Sequence, residues 1–239
     1  FPGRCTADAS WSRSENLVNF ADVRTNSTKD VVTSESLRFR FGYSPHPDLP
    51  VYVQRTHSTT RNSAETLAFN DLTVDSTEVG IQYNSPLGNQ AVLFFRRTDG
   101  HYPNLPGVVG ADYQQDDIQV AVTWKPGIKS ALNLQYGQTR REQVNQPLGG
   151  FSGNTGRLNF EWAPTTVTSF NATLGREVTS ITSFNQQNVG RANFAVVQSY
   201  GVGARWTPTA KISADARISN QAREIGGVPA DKATTTGFA

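Results

Sequence analysis

The stretch RWTPTAKISADARI occupies residues 205–218, and a close copy, EWAPTTVTSFNATL, occupies residues 161–174. Each copy has an aromatic residue, a nearby proline, a few polar residues, and a segment in which every second residue is apolar. Related copies begin at Phe41, Ile81 and Val122. Their prolines are separated by 41, 40, 38 and 44 residues: Pro45, Pro86, Pro126, Pro164 and Pro208. A repeat that runs through the whole chain predicts one structural domain over residues 1–239.

Apolar and polar residues alternate on both sides of these prolines. Ile118, Val120, Val122 and Trp124 are separated by Gln119, Ala121 and Thr123. A period of two residues indicates a β-strand with one apolar face and one polar face. The pattern recurs along the chain, so we expect an all-β protein.

The connections between the alternating segments are of two kinds. The short kind carries proline and is expected near residues 44–49, 84–89, 125–128, 163–167 and 207–210. The other kind is long and polar or glycine-rich, as in GHYPNLPGVVGADYQQ, EQVNQPLGGFSGN and REIGGVPADK. Short turns on one side and long loops on the other are typical of an up-and-down antiparallel transmembrane β-barrel, with periplasmic turns and extracellular loops. We therefore place this domain in the bacterial outer membrane.

About twelve strands are expected in this chain, including one near Thr6–Leu17 and one after Lys232. The final segment, ATTTGFA, is short for a membrane-crossing strand, which predicts a fragment of a larger barrel. The longest apolar runs, such as AVLFF at residues 91–95, are too short for a transmembrane helix. A soluble polysaccharide-binding sandwich or solenoid therefore stays as an alternative.

Five aromatic residues precede the turn prolines by two or three positions. They are Tyr43, Tyr83, Trp124, Trp162 and Trp206. All five continue the apolar face at the turn end of a strand. Amphipathic rings at one level are typical of the aromatic girdle at a membrane interface. We interpret the repeated stretch as a periplasmic hairpin.

The hairpins WAPTTVTS, from Trp162, and WTPTAKIS, from Trp206, resemble those of a family of β-barrel porins from Gram-negative bacteria. The similarity is greatest to members encoded with exopolysaccharide biosynthesis systems, the EpsL-type barrels. That resemblance implies an outer-membrane barrel that assists polysaccharide export. Its expected partners are the lipid bilayer, a polysaccharide or other polar solute, and periplasmic export machinery.

The polar face of the predicted strands would line the lumen. Its candidate residues are Arg38, Arg40, Gln54, Glu78, Gln82, Arg157, Asn159, Glu161, Arg205, Asp215 and Arg217. Arginines outnumber acids in this set, which favours anionic solutes such as acidic sugars. The alternative is that these side chains pair with one another and plug the interior, as in a structural or adhesive barrel.

Neither catalysis nor a bound cofactor is predicted. The three histidines, His46, His57 and His101, do not form a set with metal-ligand spacing. Asp99 and His101 could polarise a water molecule, as in an outer-membrane protease, but the Asp-x-Asp pair of such a site is absent from the sequence. Cys5 is the only cysteine, which excludes an internal disulfide and indicates a free, buried thiol. The net charge of +2 does not favour nucleic-acid binding.

Overall fold

The computed structural model describes residues 3–17, 30–104, 112–144, 146–180, 194–209, 211–225 and 228–238. These residues form twelve strands and one short 3-10 helix, Glu65–Asn70. The strands are β1 (Arg4–Leu17), β2 (Val31–His46), β3 (Leu49–Asn62), β4 (Leu72–Asn84), β5 (Gln90–His101), β6 (Tyr113–Gly127), β7 (Ser130–Gln143), β8 (Gln146–Trp162), β9 (Thr168–Ser180), β10 (Phe194–Thr209), β11 (Ile212–Ile225) and β12 (Val228–Phe238).

All twelve strands belong to a single sheet whose spatial order is the order of the sequence. Every neighbouring pair is antiparallel. The predicted all-β, up-and-down antiparallel fold with about twelve strands is therefore confirmed. Among the described residues no pairing joins β1 to β12, so the sheet is open at these two edges. A two-layer sandwich would need a second sheet, and the described residues form only one.

The proline-bearing connections are short. Residues 47–48, 85–89, 128–129, 163–167 and 210–211 separate the strands at this end of the sheet. In the second of these turns the Ser85 amide donates to the Asn89 carbonyl over 2.8 Å, and the Gly88 amide donates to the Ser85 carbonyl over 2.9 Å. Gly88 has a φ of 76°, a conformation that glycine adopts without steric cost.

The connections at the opposite end differ from the expectation in two places. EQVNQPLGGFSGN was expected to be a long loop, yet β7 ends at Gln143 and β8 begins at Gln146. REIGGVPADK was also expected to be long, yet β11 ends at Ile225 and β12 begins at Val228. These polar, glycine-rich segments extend the strands beyond their apolar part, where neither face needs apolar side chains. Residues 18–29, 105–111 and 181–193, in three other expected loops, lie outside the described residues.

The sheet has two chemically different faces. The belt face carries Phe41, Val53, Val79, Phe95 and Ile118, which are cross-strand neighbours in one continuous row across β2–β6. These five side chains are 40–59% exposed. The polar face is the opposite side, which carries Arg40, Gln54 and Glu78 in the adjacent row. Successive strand residues point to opposite faces, so the alternation in sequence separates the two chemistries.

The first strand corrects the interpretation of Cys5. The thiol of Cys5 is free, as expected, but it is exposed rather than buried. Cys5 lies opposite Tyr43 on β1, and β1 is an edge strand that is exposed along its whole length. Among the described residues, nothing packs on either face of this strand. No helix in the described residues is long and apolar enough to cross a membrane.

Candidate pore-lining site

The structure places all eleven predicted lumen residues on the polar face. Arg40, Gln54 and Glu78 lie in one cross-strand row. Arg205 lies opposite Asp215, and Arg217 lies two residues further along β11. The eleven residues extend from β2 to β11, so they are spread over the polar face rather than gathered in one compact site.

Arg40, Tyr52 and Glu78 form the centre of a cluster on β2–β5. The Arg40 guanidinium lies 3.9 Å from the centroid of the Tyr52 ring. Tyr52 donates its hydroxyl hydrogen to Glu78 Oε1 over 2.7 Å, and Arg96 Nε donates to Glu78 Oε2 over 2.9 Å. Arg40 Nη2 also donates to Gln82 Oε1 over 3.4 Å. The cluster thus holds two arginines and one carboxylate, of which only Arg96 pairs with Glu78, and it is left with a net positive charge.

Two further predicted arginines form ion pairs across neighbouring strands. Arg157 Nη2 lies 2.6 Å from Glu177 Oε2, and Arg205 Nε lies 3.5 Å from Asp215 Oδ1. Arg38 instead donates to the hydroxyl of Ser10 over 3.2 Å. Among the described residues neither Arg38 nor Arg40 has a carboxylate within 4.0 Å. Some charged groups of the polar face are therefore paired with each other, whereas Arg38 and Arg40 keep a positive charge without an ionic partner.

A ladder of hydroxyl and amide groups crosses the polar face on β6–β8. Thr139 Oγ1 donates to Asp117 Oδ1 over 2.6 Å and lies 2.7 Å from Thr155 Oγ1. Gln119 donates to Thr155 over 3.2 Å and accepts a bond from Gln135. Buried polar groups need such partners, and this ladder supplies them without apolar packing. None of these residues was among the sequence-based candidates.

The strand ends near the long connections carry a second group that the sequence analysis missed. We call Tyr102, Tyr113, Arg141, Ser180 and Phe194 the mouth cluster. The Arg141 guanidinium lies 3.4 Å from the centroid of the Tyr113 ring and 5.8 Å from that of Phe194. Its Nη2 donates to Ser180 Oγ over 3.2 Å. Arg141 is only 2% exposed, and its Nε is buried without a hydrogen-bond partner. Burial also raises the pKa of Tyr102 to about 12.

The girdle aromatics all lie on the belt face at the proline-bearing end. Tyr43, Tyr83, Trp124, Trp162 and Trp206 are 43–50% exposed. Trp162 stacks on Phe170 of β9 with a centroid separation of 5.5 Å. Their common position follows from the register, because each is at or next to the last residue pair of a hairpin.

The histidines have local roles in the structure. His101 Nδ1 lies 2.7 Å from Asp112 Oδ2, and the Tyr102 amide donates to Asp112 Oδ1 over 2.9 Å. Asp112 thus joins the two ends of the β5–β6 connection, and the carboxylate in contact with His101 is that of Asp112. His57 contacts Asp75 over 3.0 Å. Within the described residues no group of three or more His, Cys, Asp or Glu could hold a metal ion.

No protein-family model matches the chain. No curated protein sequence matches it either. The exopolysaccharide-export family suggested by the hairpins therefore stays a prediction.

Among solved structures the chain is similar to an outer membrane channel from Pseudomonas putida F1, with a TM-score of 0.48 and 14% identity over 98% of this chain and 93% of the other. It is also similar to the TodX monoaromatic hydrocarbon channel, with a TM-score of 0.40 and 11% identity over 98% of this chain and 79% of the other.

A third similar structure is the alcaligin outer membrane receptor FauA from Bordetella pertussis, with a TM-score of 0.45 and 8% identity over 99% of this chain. The chain spans 46% of that receptor's length. At these scores the superpositions give no correspondence between individual residues. The two proteins whose names state a location are outer-membrane proteins, which is the location predicted for this chain.

Proposed function

We propose that this chain forms the wall of a bacterial outer-membrane barrel and that its polar face lines a conduit for an anionic polar solute, such as an acidic exopolysaccharide. The observation that supports this most directly is the two-faced sheet, with an exposed apolar belt on one side and arginine-rich lining on the other. Conduction is passive, without a catalysed reaction.

The belt face supports the membrane location. Large apolar side chains are exposed in a continuous band on β2–β6, and the band continues over β7–β10 with Tyr136, Phe160, Leu174 and Val202. Water-soluble monomers rarely expose contiguous apolar patches larger than a few hundred Å². Lipid chains solvate such a band, and the girdle aromatics suit the level at which hydrocarbon meets water.

The polar face supports the choice of an anionic solute. Arg38 and Arg40 have no carboxylate partner among the described residues, while Arg96, Arg157 and Arg205 are paired. Unpaired guanidinium groups bind carboxylates through charge-assisted hydrogen bonds. Weak binding at several positions permits a chain to enter and to leave. The hairpin resemblance adds two elements to the proposal. They are the polysaccharide itself and periplasmic export machinery at the proline-bearing turns.

A recording in planar lipid bilayers tests the conduit. The purified protein is expected to produce stepwise single-channel current. A short oligogalacturonate should block that current at lower concentration than a maltooligosaccharide of equal length, because only the first carries carboxylates. Inserted protein that passes no current would contradict the conduit.

A second candidate is a plugged structural or adhesive barrel, and a specific observation favours it. The β6–β8 ladder and the mouth cluster bury polar side chains on the same face that would line the pore. In a plugged barrel these groups would fill the interior permanently. The absence of current, together with correct membrane insertion, would favour this candidate. A soluble polysaccharide-binding protein would instead be extracted without detergent.

A further inference from the structure

We propose that Arg141 and the aromatic rings around it form the constriction of the conduit and its binding point for a carboxylate group of the solute. This inference rests on the proposed function, and it locates the residue that decides which solutes pass.

The contacts of Arg141 span an unusual distance across the sheet. Arg141 belongs to β7, Ser180 to β9 and Phe194 to β10, so its side chain contacts residues two and three strands away. Neighbouring strands lie about 4.8 Å apart, which separates β7 from β10 by about 14 Å in a flat sheet. Side chains stand roughly perpendicular to a sheet. Contact between side chains so far apart indicates that the sheet curls toward the polar face here, so that side chains from β6, β7, β9 and β10 meet.

The charge of Arg141 is not balanced by a carboxylate. Among the described residues it has a cation–π contact with Tyr113, one hydrogen bond to the neutral hydroxyl of Ser180, and no acid within 4.0 Å. The carboxylate of Asp117 on β6 is engaged by Thr139 and Gln115. A buried charge without an ionic partner is costly, and most buried arginines are paired. The guanidinium therefore lacks an ionic partner that an anionic group of the solute would supply.

An unused donor of Arg141 suits a carboxylate. Arg141 Nε is buried and has no hydrogen-bond partner. The Nε and Nη groups of arginine lie in one plane and match the two oxygens of a carboxylate. Burial strengthens such a bond, because water screens it less than at an exposed arginine.

The local backbone fixes the ring that holds Arg141. Gly100 on β5 lies opposite Tyr113, and a Cβ at position 100 would overlap the Tyr113 ring. The glycine thus lets the ring lie close against β5 and present a face to the guanidinium. The position of the Arg141 side chain is therefore fixed by residues of three strands, β5, β6 and β7.

The test compares Arg141→Met with Arg140→Met in planar bilayers. Methionine keeps most of the side-chain volume and removes the charge. Arg140 is the next residue on β7, but it lies on the belt face and is well exposed, which makes it a matched control. Reversal potential in a KCl gradient reports ion selectivity, and block by oligogalacturonate reports carboxylate binding. Heat-modifiable gel migration and circular dichroism verify that each variant folds.

We expect Arg141→Met to lower anion selectivity and to weaken block by oligogalacturonate about tenfold or more, the effect of losing charge-assisted hydrogen bonds. Arg140→Met should match the wild type. Arg141→Lys, which keeps the charge without the planar fork, should retain selectivity with weaker block, and it replaces Arg141→Met if that variant does not fold.

Two failures are distinguishable. If the wild type conducts and both methionine variants behave identically, Arg141 is not the binding point and the conduit stands. If inserted wild-type protein and Arg141→Met both pass no current, the conduit itself is wrong, and the role of Arg141 falls with it.

Discussion

Gly80 lies directly opposite Tyr52 on the polar face, and the Tyr52 ring occupies the space that a side chain at position 80 would need. A Cβ at Gly80 would lie 2.7 Å from the ring atoms. The ring is thereby held between the Arg40 guanidinium and β4, with its hydroxyl on Glu78. One missing side chain therefore positions the charged cluster of β2–β5.

The first prediction follows from this contact. Gly80→Ala should displace the Tyr52 ring, break its hydrogen bond to Glu78 and lower the free energy of unfolding by about 1–3 kcal/mol, the usual cost of overpacking. Urea unfolding in lipid vesicles measures it. Gly237→Ala is the control, because a Cβ at that strand glycine meets nothing within 4 Å. Equal stability of both variants would show that Tyr52 is not held by Gly80.

The second prediction concerns the two kinds of ion pair on the polar face. Glu78 is 14% exposed and is shared by Arg96 and Tyr52, whereas Glu177 is 42% exposed and pairs with Arg157 alone. Glu78→Gln should destabilise the protein by about 1–3 kcal/mol, because it leaves a half-buried arginine without its partner. Glu177→Gln should cost less than about 1 kcal/mol.

Urea unfolding of the two glutamine variants in lipid vesicles measures both changes in the free energy of unfolding. A larger effect at Glu177 than at Glu78 would mean that solvent reaches the β2–β5 cluster more freely than its burial indicates.

The strand pattern, the sheet order and the two faces could be predicted from the sequence, because a period of two residues encodes which face each side chain takes. Arg141 could not be found in this way. Its contacts join β7 to β10, and that proximity depends on sheet curvature, which the sequence of a single strand does not encode. The connection at residues 144–145 was missed for a related reason: polar, glycine-rich sequence suits both a loop and a strand that continues beyond the lipid.

The third prediction tests the aromatic girdle. In variants that keep one tryptophan each, the fluorescence of Trp124, Trp162 and Trp206 should be quenched with the same depth profile by lipids brominated at different positions. Quenching should be strongest near the headgroups, where indole rings prefer to lie. Free iodide in the buffer is the control quencher. Three different depths would contradict a common membrane level for these residues.

The fourth prediction concerns the height of the belt. On β6 it runs from Ile118 to Trp124, which at about 3.3 Å per residue spans only about 20 Å along the strand. A transmembrane barrel typically has an apolar band about 25 Å tall. Hydrophobic mismatch costs free energy. The protein should therefore insert faster and more completely into vesicles of short-chain phosphatidylcholine than into those of long-chain lipid, and equal insertion at all chain lengths would contradict the belt.

The last prediction uses the buried tyrosine of the mouth cluster. Burial raises the pKa of Tyr102 to about 12, although Ser180 and the positive charge of Arg141 oppose the shift. An unfolded tyrosine titrates near pH 10. The folded state therefore holds this proton more tightly. Its contribution to stability is complete below about pH 10 and is lost as the pH rises toward 12.

Tyr102→Phe removes the titrating group and keeps the ring. Between about pH 10 and 12 the free energy of unfolding should fall less steeply in this variant than in the wild type, by the contribution of one proton. Tyrosinate absorbance followed during alkaline titration should also lose one late-titrating group. Tyr83→Phe, at the opposite end of the sheet, is the control for loss of one hydroxyl. Identical alkaline profiles for Tyr102→Phe and the wild type would mean that the mouth cluster opens to solvent before Tyr102 ionises.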